Sequence, residues 1–143
     1  MKSLLFFASL LFLFSFQACA QPDYLVIGKG GGFSGEVLQY RISPGGKVYK
    51  GSGLADIRYT LKGKIRRSEA RKLFDDMANI KDSTFHHPGN MYYFIHKVGN
   101  DCKTEYTWGE NGYEVAGSLK TIYINTIGRL SEVDFKPVKK PVE

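Results

Sequence analysis

The hydrophobic and polar positions of this chain change period several times. Leu38, Tyr40 and Ile42 fall on alternate residues within 36–42, the period-two signature of a half-buried strand. A short apolar run at 24–27 precedes it, and residues 47–50 return after Ser43-Pro44-Gly45-Gly46, a strong turn signal. These pieces read as a meander of hairpins. A further strand is expected over 57–65, where Ile57, Tyr59, Leu61 and Gly63 alternate. The period then lengthens. Ala70, Leu73, Phe74, Met77 and Ile80 recur at helical spacing behind Ser68, whose hydroxyl suits an N-cap. Arg71/Asp75 and Lys72/Asp76 stand four apart on the other side of that helix. Residues 82–90 read as a loop carrying His86, His87 and Pro88. Residues 91–98 read as a strand, and Gly99-Asn100-Asp101 as a turn. The returning strand, 102–108, places Cys102, Thr104, Tyr106 and Trp108 on one face. After a break at 109–112, a second helix is expected from Ser118, with Leu119, Ile122, Tyr123, Thr126, Ile127 and Leu130 on one stripe. Residues 136–143, with two prolines and three lysines, read as a disordered tail.

The element order predicts an α+β fold: an antiparallel sheet of about five to six strands with both helices packed on one face. Short links favour antiparallel neighbours, and two amphipathic helices need a sheet face to cover.

The first twenty residues stand apart. Lys2, an apolar run over 4–16, and Ala18-Cys19-Ala20 match the three regions of a signal peptide. The apolar run is 13 residues, short of the ~20 a membrane-spanning helix needs. The expectation is therefore export, with a single domain over 21–135. Two processing routes compete. Cleavage after Ala20 gives a soluble protein. Cleavage before Cys19 gives a cysteine for lipidation, although Phe16 and Gln17 match a lipobox poorly. If Cys19 is removed or lipidated, Cys102 has no partner within the chain, and it is expected to be a small buried hydrophobe.

The chain of 143 residues is long enough for one domain with its own core. Its 43% apolar and 24% charged residues exclude a disordered chain, and two cysteines exclude a disulfide-stapled miniprotein. The net charge of +6 is modest, but six cations crowd residues 62–72: Lys62, Lys64, Arg66, Arg67, Arg71 and Lys72. Cations disfavour a helix N-terminus. In an exported protein this basic patch suits anionic lipid or an acidic partner, and nucleic acid is not expected.

Catalytic and cofactor signals are thin. Gly30-Gly31-Gly32-Phe33-Ser34-Gly35 satisfies G-x-G-x-x-G, yet it opens a strand where a dinucleotide fold needs a helix. The kinase loop also joins two strands, but the other kinase motifs are missing. The three histidines have no ligand spacing, with no H-E-x-x-H and no C-x-x-C. No G-x-S-x-G occurs, and Glu105, Glu110 and Glu114 are acids by type only. The chain is therefore expected to be no enzyme, with no cofactor and no metal. The glycine run reads as a hairpin whose residues take unusual backbone angles and display one aromatic side chain, Phe33.

Gly31-Gly32-Phe33-Ser34-Gly35, set between two strands, resembles the G-G-F-small-G opening of the emfourin-like proteins, small bacterial inhibitors of thermolysin-like metallopeptidases. The helix, the strand pair and the final helix follow in the same order. The segment 46–64 is longer than in that pattern, and an export leader precedes it. The leader implies an extracytoplasmic domain, periplasmic or secreted, and the resemblance implies a non-enzymatic one that binds a protein, in this family a metallopeptidase, through the loop Gly30–Gly35. Two other classes stand beside it. One is a cell-envelope lipoprotein with a structural or interaction role, reaching the membrane only through Cys19. The other is a small-ligand binder using Tyr92, Phe94, Tyr106 and Trp108.

Overall fold

The computed structural model describes residues 22–110 and 112–142. The expected leader, its expected cleavage site and Cys19 lie outside the described residues. The elements are β1 (Tyr24–Gly31), β2 (Val37–Ile42), β3 (Lys47–Gly53), β4 (Arg58–Lys64), α1 (Arg67–Asn79), β5 (Phe85–His87), β6 (Met91–Val98), β7 (Lys103–Gly109), α2 (Gly117–Ser131) and β8 (Lys136–Val142). The fold is α+β. One sheet of eight strands runs in the order β5-β7-β6-β1-β2-β3-β4-β8. All neighbours are antiparallel except β5 and β7.

Two strands exceed the sequence expectation. β5 carries His86 and His87 in what reads as a loop, and three residues are too few to show a period. β8 replaces the expected disordered tail, pairing Lys136 with Lys62 and Pro137 with Leu61. Proline is tolerated there because β8 is an edge strand, where a missing N–H leaves no ladder bond unmade. A chain ended at residue 135 is expected to expose the edge of β4 and to self-associate, visible as a shift to larger species in size-exclusion chromatography. An unchanged monomer with unchanged thermal stability would show that β8 protects nothing.

Alternation sorts the strand side chains onto two faces. Leu25 and Ile27 of β1, Tyr40 and Ile42 of β2, Val48 of β3, Ile95 of β6, and Tyr106 and Trp108 of β7 join one buried cluster. Ala70, Leu73 and Met77 of α1, with Leu119, Tyr123 and Leu130 of α2, belong to it as well. Tyr123 meets Trp108 edge-on at 5.4 Å and Tyr93 at 5.5 Å. The opposite face has a smaller buried set outside that cluster: Val26, Tyr59 and Phe94.

Tyr59 reaches this second face through a bulge. Gly51 pairs with Tyr59 and Lys50 with Leu61, so Thr60 is the extra residue. The bulge breaks the expected alternation, and Tyr59 and Leu61 point to opposite faces. Tyr59 is held by Gln39, whose Nε2 donates to its hydroxyl at 2.6 Å.

Two details correct the sequence reading and a third adds to it. The N-cap of α1 is Arg66, not Ser68. The Arg66 N–H donates to Glu69 Oε2 at 2.9 Å, and Arg129 of α2 holds the other Glu69 oxygen at 3.1 Å, tying the two helices together. That Arg129 bond comes first among the causes that keep the Glu69 carboxyl below its ordinary range. Lys97 is buried on the cluster face, with its Nζ 3.4 Å from the Met77 carbonyl near the end of α1. Cys102 is half-buried just before β7, not the fully buried small hydrophobe expected.

Candidate functional site

The glycine run divides between a strand and a turn. Gly30 and Gly31 belong to β1, and Gly32, Phe33, Ser34 and Gly35, with Glu36, form the connection to β2. In that connection the Gly35 N–H donates to the Gly32 carbonyl at 3.2 Å, closing a tight turn with Phe33 and Ser34 at its corner. Gly32 and Gly35 take positive φ, +74° and +64°. The turn is braced from the side, since the Gly32 N–H donates to the Asn90 carbonyl at 2.8 Å. Ser34 Oγ accepts the Glu36 N–H at 3.3 Å. Phe33 stands fully exposed at the tip.

Close approach explains the strand glycines. A Cβ on Gly28 would lie 2.7 Å from the Phe94 ring, and one on Gly30 would lie 2.5 Å from the Tyr92 hydroxyl. The rings of β6 lie over the bare backbone of β1. Tyr92, Phe94 and His96 line up at alternate positions, with Phe94 and His96 stacked at 4.8 Å.

This ring row floors a cleft of about 390 Å³. Leu54, Ala55 and Ile57 of the β3–β4 connection form one wall, and His86 and Pro88 the other. Leu54 is itself highly exposed. Val37 opposite Gly53 places the β1–β2 turn and the β3–β4 connection at the same end of the sheet. Phe33 and Leu54 are thus two apolar tips beside one cleft.

Besides His86 and the Tyr92 hydroxyl, the polar groups of the cleft are His96, Glu105, Thr107 and Gln39. His96 Nε2 is 3.4 Å from Thr107 Oγ1, and its Nδ1 is 3.7 Å from Glu105 Oε1. Burial dominates this imidazole, lowering its pKa to about 4 against the opposing pull of Glu105. Glu105 is held below its ordinary range first by Lys103, whose Nζ lies 2.6 Å away. Hydroxyl, imidazole and carboxylate stand in the order of an acyl-transfer relay, but the geometry falls short of one. Both separations exceed hydrogen bonds of ~2.6–3.2 Å, Thr107 is buried, and so weak an imidazole is a poor base at neutral pH.

The other sequence candidates separate. Of the four proposed ligand-binding aromatics, Tyr92 and Phe94 face the cleft, whereas Tyr106 and Trp108 lie in the main cluster on the other face. His87 stacks on Tyr113 at 3.9 Å while His86 lines the cleft, so the neighbouring imidazoles diverge. No group of three His, Cys, Asp or Glu residues able to hold a metal is present among the described residues. The basic run also splits. Lys62 and Lys64 lie on β4, and Arg66, Arg67 and Arg71 lie at the start of α1. All five are exposed, and Lys62 and Lys64 lie at the end of the sheet remote from Phe33. No known protein family matches the chain, and no curated protein does either.

Proposed function

We propose that this is a non-enzymatic, extracytoplasmic protein-binding domain that docks through the end of its sheet bearing Phe33. The observation that carries this reading is the exposed Phe33 ring on a turn that is hydrogen-bonded within itself and clamped to Asn90. An aromatic side chain left in water is costly unless a partner covers it, and a braced turn loses little entropy on binding. Leu54 widens the apolar contact. The reading takes both helices to cover the main-cluster face, as their shared burial with Leu25 and Ile27 supports. A thermolysin-like metallopeptidase is the partner class suggested by the Gly31–Gly35 resemblance. Lipidation at Cys19 would tether the same domain to the envelope.

The test is a titration of the purified protein against a panel of thermolysin-like metallopeptidases. Stoichiometric loss of activity is expected, weakened about 30-fold or more by Phe33→Ala, the size of a central aromatic contact. No loss against any member would remove the inhibitor reading. Cross-linking from the Phe33 turn in the producing cell would then have to find another protein, or the docking reading falls too.

A further inference from the structure

Sheet register assembles a basic surface that the linear sequence does not display. Lys47 pairs directly with Lys64, and Lys62 pairs directly with Lys136. Directly opposed residues share a face, with Cβ atoms roughly 5 Å apart, and like charges in such pairs are destabilising. Two such pairs adjoin on β3, β4 and β8. All four lysines are exposed, and none makes an ion pair among the described residues. They lie on the face opposite the main cluster, since Val48 and Tyr40 of the alternate set belong to that cluster.

Aromatic and polar groups continue the surface. Tyr49 pairs with Lys62 on one side and with Arg41 on the other. Arg41 lies over the Tyr24 ring, 4.1 Å from its centroid. Tyr24, Arg41, Ser43, Lys47, Tyr49 and Asn100 line an open cleft of about 430 Å³ with Asp23 as the one acid in its lining. Among the described residues, the exposed large apolar side chains Phe33, Leu54, Tyr113 and Ile124 are all elsewhere, so none of them can insert among acyl chains from this surface. Half-exposed tyrosine rings flanked by neutral hydrogen-bonding groups suit the faces and hydroxyls of sugar rings. An array of cations suits regularly spaced acid groups.

We propose that this half of the sheet face binds a polyanionic polysaccharide, its acid groups meeting Lys47, Lys62, Lys64 and Lys136 and its sugar rings lying against Tyr24 and Tyr49. The site lies at the end of the sheet remote from Phe33, so both surfaces can be occupied at once.

The experiment measures binding of the purified protein, by calorimetry at physiological salt, to heparin and to polygalacturonate. Dextran, phosphatidylglycerol vesicles and polyglutamate serve as competitors of other chemistry. Both charged glycans are expected to bind and dextran is not. The double variant Lys47→Gln/Lys64→Gln should bind about tenfold more weakly. Its thermal midpoint should hold or rise, because a like-charge pair has been removed. The double variant Arg67→Gln/Arg71→Gln, which removes the same charge from α1, should stay within about twofold of the parent. Equal weakening by both variants would reduce the effect to net charge and overturn the proposal. Binding of vesicles or polyglutamate as tight as that of the glycans would overturn it equally.

Discussion

Gly31→Ala is expected to destabilise the domain by about 3 kcal/mol, the sum of ~1–2 for a left-handed backbone and ~1–3 for overpacking. The position has φ +93°, and an added Cβ would run into the Asn90 carbonyl oxygen. That obstacle is backbone, so no side-chain rotation relieves it. The displaced Asn90 carbonyl also accepts the Gly32 N–H, so the brace on the Phe33 turn goes with it. Gly35→Ala is the matched control. Its φ is +64°, but an added Cβ meets nothing within 4 Å, so only the backbone cost of roughly 1–2 kcal/mol applies. Urea unfolding of both variants measures the difference. Equal costs would mean that packing does not dictate the glycine at position 31, leaving the docking partner as its reason.

The second large effect is one of pH. His96 titrates near pH 6.5 when unfolded and near 4 when folded, because burial opposes its charge. Between those values the unfolded chain binds the extra proton, so acid favours unfolding. The stability is fully present above pH 6.5 and is lost as pH falls toward 4. A shift of this size is worth about 3 kcal/mol over the window. Glu105, Lys103 and His86 all act on the ring, and of these only Glu105 favours its protonation. His96→Phe keeps a ring beside Phe94 and removes the proton site. Its unfolding free energy should therefore be nearly flat between pH 6.5 and 4.5, where the parent falls. Parallel curves for the two proteins would place the acid sensitivity elsewhere.

Local chemistry made much of this fold readable. Leu38, Tyr40 and Ile42 announce β2 by period two, and Leu73 and Met77 announce α1 by period 3.6. Tyr92 and Phe94 fall on a recognisable strand. The features that went unread depend on register or on distant partners. A single bulged residue, Thr60, separates Tyr59 from Leu61, and only the pairing with β3 reveals it. β8 looks unstructured because prolines and lysines lack strand propensity, yet the edge of β4 makes it a strand. The basic run was visible as six nearby cations, but its division between β4 and α1 was not. Nor was the arrival of Lys47 and Lys136 beside Lys62 and Lys64. The glycine motif was legible as a display turn, while Gly30 and Gly31 answer to rings and a carbonyl some sixty residues along the chain.

β1 occupies the middle of the sheet, between β2 and β6. It is the first of the strands to leave the ribosome, but its partner β6 ends only at Val98, opposite Tyr24. At ~5–20 residues per second, roughly 4 to 15 seconds separate the synthesis of the two. Through that interval Leu25 and Ile27 lack the far half of their sheet, and the β1–β4 meander has an open side. The two halves of the sheet meet only across β1, so the domain cannot close until most of the chain has been made. Such a strand order favours slow, non-local folding. It leaves the nascent chain without its closed core for much of its synthesis.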